Sequence, residues 1–286
     1  MKIVAIMPVR NEAWCLRHTL PAVLRWADAV VIVAHCCTDE STEIIRKARL
    51  DHLDQQVMCA EESNPIWHEM QQRQHMLQWS RILGATHVAI VDADEVLTEN
   101  LVPGIRDIIE ATPPGHMLQL PWVCLRGDLH HFHADGVWGN AMVSFCFPDQ
   151  PDFRWSSQER DGYDFHRRHP LGCELFHRPI GRGEGGLIHL QFVRDRALRA
   201  KQAHYQMTEV RRWPGRQTPA QLAAMYGLAV HQRGRILPVR PGWWPQEVAG
   251  IDLTDDGSTW HEAEIRQWIK EDGRERYAGL DLFGIA

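Results

Sequence analysis

Apolar residues are distributed in two alternating ways along the first hundred positions. Residues 2–7 (KIVAIM), 29–33 (AVVIV), 56–59 and 87–91 (HVAIV) are short continuous apolar runs rich in β-branched side chains. Between them the spacing lengthens. Residues 12–27 carry Trp14, Leu16, Leu20, Val23, Leu24 and Ala27 on or near one helical face, and 42–53 and 66–83 read as two further helices. Continuous apolar strands alternating with amphipathic helices predict a mostly parallel sheet, Rossmann-like, covered on both faces and joined by right-handed crossovers. Sheets of this kind bind ligands beyond the carboxyl ends of their strands. The segments 8–12, 34–39 and 92–95 therefore open onto one crevice, and they hold the polar residues nearest those strand ends.

Further on, 97–111 reads as a helix stopped by Pro113, Pro114 and Gly115. Residues 117–123 and 141–147 read as strands flanking a histidine-rich loop, LHHFHADGVWGN, and 149–186 is irregular and rich in charge, aromatics, proline and glycine. Such a segment is more often a functional surface than a second core. Three helices are expected at 192–212, 219–232 and 260–277, with the interrupted stretch 235–258 between the last two. The expected division is a nucleotide-binding and catalytic domain over 1–190 and a helical C-terminal elaboration over 191–286, facing an acceptor.

Length and composition narrow the class. A chain of 286 residues buries a core without disulfides, and its seven cysteines lack paired Cys-x-x-Cys spacing, so free thiols and a cytoplasmic setting are expected. The first residues are too short and polar an apolar run for a signal peptide, and no stretch of membrane-spanning length and apolarity follows. A formal charge of -6 with interspersed signs and no basic tail disfavours a nucleic-acid partner.

VDADE at 91–95 is the sharpest chemical signal. Asp92 and Asp94 leave an apolar strand separated by one small residue, so both carboxylates can face the crevice. Hard cations such as Mg²⁺ and Mn²⁺ prefer such oxygen ligands and share their shell with substrate phosphates. The bland alternative is a pair of aspartates that cap a helix or solvate a strand end.

IMPVRNEAW at 6–14, VVIVAHCCTDEST at 30–42 and THVAIVDADEVL at 86–97 together resemble the family 2 glycosyltransferases of the GT-A fold, over about the first third of the chain. The resemblance implies a DxD motif, a Mn²⁺ or Mg²⁺ cofactor and a nucleotide-diphosphate sugar donor. It places Pro8, Val9, Arg10, Asn11 and Glu12 beside base and ribose, Asp39 at the acidic end of the second loop, and Asp92 and Asp94 at ribose, diphosphate and metal. Where the family usually carries an acidic pair, this chain has Ala34 and His35. The partner for a uracil ring is thus replaced by a histidine that can hydrogen-bond or stack, and a UDP-sugar is the expectation from resemblance alone.

More loosely, 185–209 resembles a segment of bacterial sugar transferases in which a histidine precedes a long helix. That makes His189 the expected third metal ligand. An inverting transferase also needs a general base, for which Glu159, Asp161, Asp164 and Glu174 are candidates. Arg167, Arg168 and Arg182 are possible phosphate contacts. His130, His131, His133 and Asp135 have the residue types of a transition-metal site, but their tight spacing favours a polar loop. Trp243, Trp244 and Trp213 suit packing better than a sugar platform.

The function expected is transfer of a sugar to a hydroxyl of a glycan, lipid-linked or small-molecule acceptor, with inversion. A sugar-phosphate nucleotidyltransferase is disfavoured because PVRNEAW has no glycine-rich phosphate loop. A non-catalytic glycan- or nucleotide-binding protein with a transferase-like fold is the alternative that Ala34 and His35 keep open.

Overall fold

The computed structural model describes residues 1–156, 167–254 and 259–286. In chain order its elements are β1 (Ile3–Val9), α1 (Ala13–Leu24), β2 (Ala29–His35), α2 (Ser41–Asp51), β3 (Gln56–Glu62), α3 (Glu69–Ile82), β4 (His87–Ile90), β5 (Glu95–Leu97) and α4 (Ile105–Glu110). There follow β6 (His116–Cys124), β7 (His131–His133), α5 (Gly136–Gly139), β8 (Met142–Pro148), β9 (Leu175–His177), β10 (Leu187–His189), α6 (Asp195–Arg212), α7 (Pro219–His231), β11 (Ile236–Pro238) and α8 (Trp260–Asp272). Two compact units emerge: Met1–Val123, Asn140–His189 and Val239–Asp252 form the first, and Cys124–Gly139, Leu190–Pro238 and Leu253–Ala286 the second. The chain thus passes between units several times, rather than once near residue 190.

The first unit is a mixed α/β fold around a sheet ordered β3-β2-β1-β4-β8-β6-β10-β5, with β9 beside β6. Strands β3, β2, β1 and β4 are parallel, as the apolar runs predict, while β8 runs antiparallel to both β4 and β6. Burial on both faces explains why β1 is apolar throughout. Ile3, Ala5, Met7 and Val9 meet Leu16, Leu20 and Val23 of α1 on one face, and Val4 and Ile6 join Met70, Met76 and Leu77 of α3 on the other. The helix expected at 97–111 is shorter. Residues 95–97 pair as β5, a 3-10 segment covers Glu99–Gly104, and only Ile105–Glu110 is α-helical.

The second unit packs α6 against α7 and α8. Thr218 caps α7 through a reciprocal capping box with Gln221, and Pro219 occupies the first turn. Helix α6 buries polar groups, some of which bond across the bundle. Tyr226 donates to Glu209 at 2.8 Å, and His204 Nε2 lies 2.8 Å from Glu264 Oε2. The histidine-rich segment is structured: β7 pairs with β11, and α5 follows. Its polar side chains diverge. His131 Nδ1 lies 2.8 Å from Asp128, Asp135 accepts the Arg235 backbone N–H, and His133 is buried edge-on to Phe192.

Candidate active site

The loops after β1 and β2 are laced together. Asn11 adopts a left-handed φ of 55°, which asparagine tolerates better than most residues. Its Oδ1 accepts the backbone N–H groups of Thr38 at 2.7 Å and Asp39 at 3.3 Å, while its Nδ2 donates to Thr38 Oγ1. Asp39 accepts the N–H of Ala13 at 2.9 Å, so it caps the start of α1, and it also accepts the N–H of Ser41. Glu12 donates its N–H to Ser41 Oγ and accepts Trp14 Nε1. Pro8 and Val9 are the last residues of β1, with Val9 fully buried and Pro8 and Arg10 half-buried.

His35 turns into the protein interior. It is 0 % exposed, its Nε2 is 2.7 Å from the Asn64 carbonyl, and its ring meets Trp67 edge-on at 4.9 Å. The imidazole fastens the segment after β3 from inside. His35 thus positions the Asn64 backbone and the Trp67 ring.

After β4 the chain turns sharply, with Glu95 N–H donating to the Asp92 carbonyl at 3.0 Å. Thr19 Oγ1 and Cys15 Sγ of α1 both reach the Ala93 carbonyl, at 2.6 and 3.4 Å, and pin this turn. The returning strand β5 pairs antiparallel with β10, and the register sets His189 opposite Glu95. His189 Nε2 thereby comes to 3.3 Å from Asp94 Oδ2, with both residues buried. Two residues nearly a hundred positions apart are joined by strand register.

Glu95, which sequence reasoning did not single out, is 0 % exposed. It accepts the Asp92 N–H at 2.9 Å and Trp122 Nε1 at 2.9 Å. Trp122 also lies flat on His189, with ring centroids 4.4 Å apart and planes 8° from parallel. One indole thus orients both a buried carboxylate and the imidazole beside Asp94.

Arg168 joins the same cluster. Its Nη1 donates to Asp92 Oδ2 at 2.9 Å and Glu95 Oε1 at 3.0 Å. Nη2 donates to the Ile90 carbonyl at 2.9 Å and to Glu95 Oε2, and Nε to the Ser144 carbonyl at 2.9 Å. A guanidinium has five N–H donors, and all five are used. Arg168 is therefore a brace under the site and has no donor left for a phosphate oxygen. From α3, Arg73 donates to Glu69 at 3.0 Å and reaches Asp92 at 3.5 Å. Burial alone would push the Asp92 carboxyl up, but Arg168 and Arg73 outweigh it and hold it below its usual range.

The other expected residues separate. Arg167 pairs with Glu174 at 3.2 Å, and the Glu174 side chain is largely exposed. Arg182 donates twice to Asn140. Glu159, Asp161 and Asp164 lie outside the described residues. Glu69, Arg73, Glu95 and Trp122 were all missed. The one available signal was a Glu-x-x-x-Arg pair on the face of α3 that also carries Met70, Met76 and Leu77.

Among the described residues no three His, Cys, Asp or Glu side chains converge as a closed metal cage. The donor chemistry nonetheless suits a divalent cation. Asp94 and His189 supply oxygen and imidazole nitrogen side by side, while Glu69 pairs with Arg73 and both Asp92 and Glu95 pair with Arg168. An open two-donor arrangement leaves the remaining shell for phosphate oxygens.

No protein-family model and no curated protein matches the chain. Among solved structures it is similar to S. aureus TarS 1-349, at 10% identity over 80% of this chain and 70% of that one, with a TM-score of 0.42. A longer S. aureus TarS structure is matched at 14% identity over 82% of this chain and 44% of that one, with a TM-score of 0.45. The mannosyltransferase PcManGT from Pyrobaculum calidifontis, solved with GDP-Man and Mn2+, is matched at 15% identity over 96% of this chain and 81% of that one, with a TM-score of 0.43. At such identities and scores, function has to be read from the site itself.

Proposed function

We propose that the chain is a glycosyltransferase that moves a sugar from a nucleotide-diphosphate sugar to an acceptor hydroxyl. The observation that carries this reading is the β5–β10 register, which sets His189 opposite Glu95 and within 3.3 Å of Asp94 at the carboxyl end of the parallel sheet. A buried carboxylate and imidazole side by side at the strand ends suit a divalent cation that shares its shell with a diphosphate. Mn²⁺ or Mg²⁺ held by Asp94 and His189 would neutralise the charge that develops on the departing diphosphate.

The chain's own residues supply the rest. The laced loops at Asn11 and Asp39 form the wall beside base and ribose, and the segment carrying Asn64 and Trp67 stands next to it. Asp92 is held ionised by Arg168 and Arg73 and keeps its carboxylate facing the donor. The acceptor proton goes to a carboxylate of 159–174, and inversion follows if that base acts in a single displacement.

The test is a thermal-shift series with nucleotide diphosphates and their sugars, with and without Mn²⁺. One sugar nucleotide should raise the melting temperature only with metal, and Asp94→Ala and His189→Ala should each abolish the shift without unfolding the protein. Hydrolysis of that nucleotide sugar then separates a transferase from a non-catalytic binder. Stabilisation by no nucleotide under any metal condition would overturn the reading.

A further inference from the structure

The second unit carries a group of exposed apolar residues. All its exposed large hydrophobic residues, among those described, lie on three connected elements: Val137 on α5, Met225 and Leu228 on α7, and Ile236 and Leu237 on β11. Met225 and Leu228 are three positions apart and share a helix face. Trp138 of α5 donates its Nε1 hydrogen to the Leu228 carbonyl at 3.3 Å, and α5 follows directly on β7, the partner of β11. Scattered exposed apolar residues need no explanation, but a connected group does.

Arginines border this group. The stretch from Arg233 to Pro238 is exposed at every residue, and neither the Arg233 nor the Arg235 guanidinium is ion-paired with a carboxylate among the described residues. Arg126 lies beside Arg233 and Arg199. Burial first, and then those two positive neighbours, hold its pKa below the usual range despite Asp195. Asp195 is itself engaged by Arg199 at 2.6 Å, and Asp135 accepts the Arg235 backbone N–H at 2.9 Å. Asp128 and Asp281 also lie at this end of the unit, beside His131 and His231, so its cationic character rests on the exposed Arg233 and Arg235, in a chain whose overall formal charge is -6.

We infer that this face docks the protein on an anionic phospholipid surface, with Leu228, Val137 and one of Ile236 and Leu237, which point to opposite faces of the β7–β11 ribbon, entering the headgroup boundary and Arg233 and Arg235 meeting lipid phosphates. Charge complementarity selects this occupant. An apolar partner alone would not need unpaired arginines on both sides of Gly234, and a free polyanion would not need exposed isoleucine and leucine. Because the chain's net charge repels an anionic surface, contact depends on the local cluster. The inference is independent of the transferase reading, since it uses only residues of the second unit.

Sedimentation of the full chain with vesicles tests it. Binding is expected to equimolar phosphatidylcholine and phosphatidylglycerol vesicles, not to phosphatidylcholine alone, and it should weaken as NaCl is raised. Replacing both arginines (R233Q with R235Q) should lower the partition coefficient about 25-fold, at roughly five-fold per arginine near a charged surface. Ile236→Ser with Leu237→Ser should lower it comparably while circular dichroism stays unchanged. Equal binding to both vesicle types, or wild-type binding by both double variants, would overturn the inference. So would a homodimer in light scattering, dissociated by Ile236→Ser with Leu237→Ser, in a protein that ignores anionic vesicles.

Discussion

Arg168 shows how a residue's role depends on its count of donors and acceptors. A loop arginine near carboxylates invites assignment to a phosphate, yet five hydrogen bonds to Asp92, Glu95, Ile90 and Ser144 leave it none to offer. Removing it would strand two carboxylates in a buried place. Arg168→Gln should therefore cost about 3–5 kcal/mol in urea denaturation, whereas Asp94→Ala should leave stability nearly unchanged and remove metal-dependent donor binding. Trp122 makes a finer test. Phenylalanine there keeps a ring on His189 but loses the hydrogen bond to Glu95, so Trp122→Phe should lower stability by about 1 kcal/mol. It should also weaken Mn²⁺-dependent donor binding roughly ten-fold, the scale of effect seen when groups that orient metal ligands are lost. Titration of Mn²⁺ by calorimetry in the presence of donor would measure the second effect. Unchanged affinity would reduce Trp122 to packing.

At the scale of elements, the site is a product of strand pairing. His189 meets Asp94 only because β10 lies against β5, and the approach to β10 runs through Gly185 and Gly186. A Cβ on Gly186 would stand 2.1 Å from the Pro121 carbonyl oxygen and 2.9 Å from its carbon, both backbone atoms that cannot rotate away. The hydrogen bonds from Gly186 to Thr98, in both directions, hold this approach. Gly186→Ala should thus push β10 off β6, cost about 1–3 kcal/mol and weaken metal-dependent donor binding together with stability. Gly84 is the control. A Cβ there meets nothing within 4 Å, although its φ of 78° strains any other residue, so Gly84→Asn should be milder and leave donor binding intact. Equal loss of donor binding in both variants would detach the glycine pair from the site.

Across the whole molecule, burial places three histidines, His87, His133 and His169, below their ordinary pKa. Each is neutral when folded and takes up a proton more readily when unfolded, at about pH 6.5. Their stabilising contribution is full above that value and is lost as pH falls from there through the folded-state values. Denaturation at pH 7.5 and pH 5.5 should show a smaller loss on acidification for the His87→Gln, His133→Gln, His169→Gln triple variant than for wild type, and equal losses would refute the account. Sequence alone determined the parallel half of the sheet, because strands buried on both faces must be apolar throughout and helices buried on one face must repeat every three or four residues. It also marked Asp92 and Asp94 as carboxylates at a strand's end, since next to a strand buried on both faces a carboxylate has no solvated place except that end. Only tertiary structure decided that Glu95 is a buried partner, that His35 turns inward to Asn64, that Arg168 and Arg73 brace Asp92, and that Trp122 stacks on His189. None of these pairings leaves a local periodicity. Each is set by the register of strands distant in sequence and by which charges the fold leaves without water.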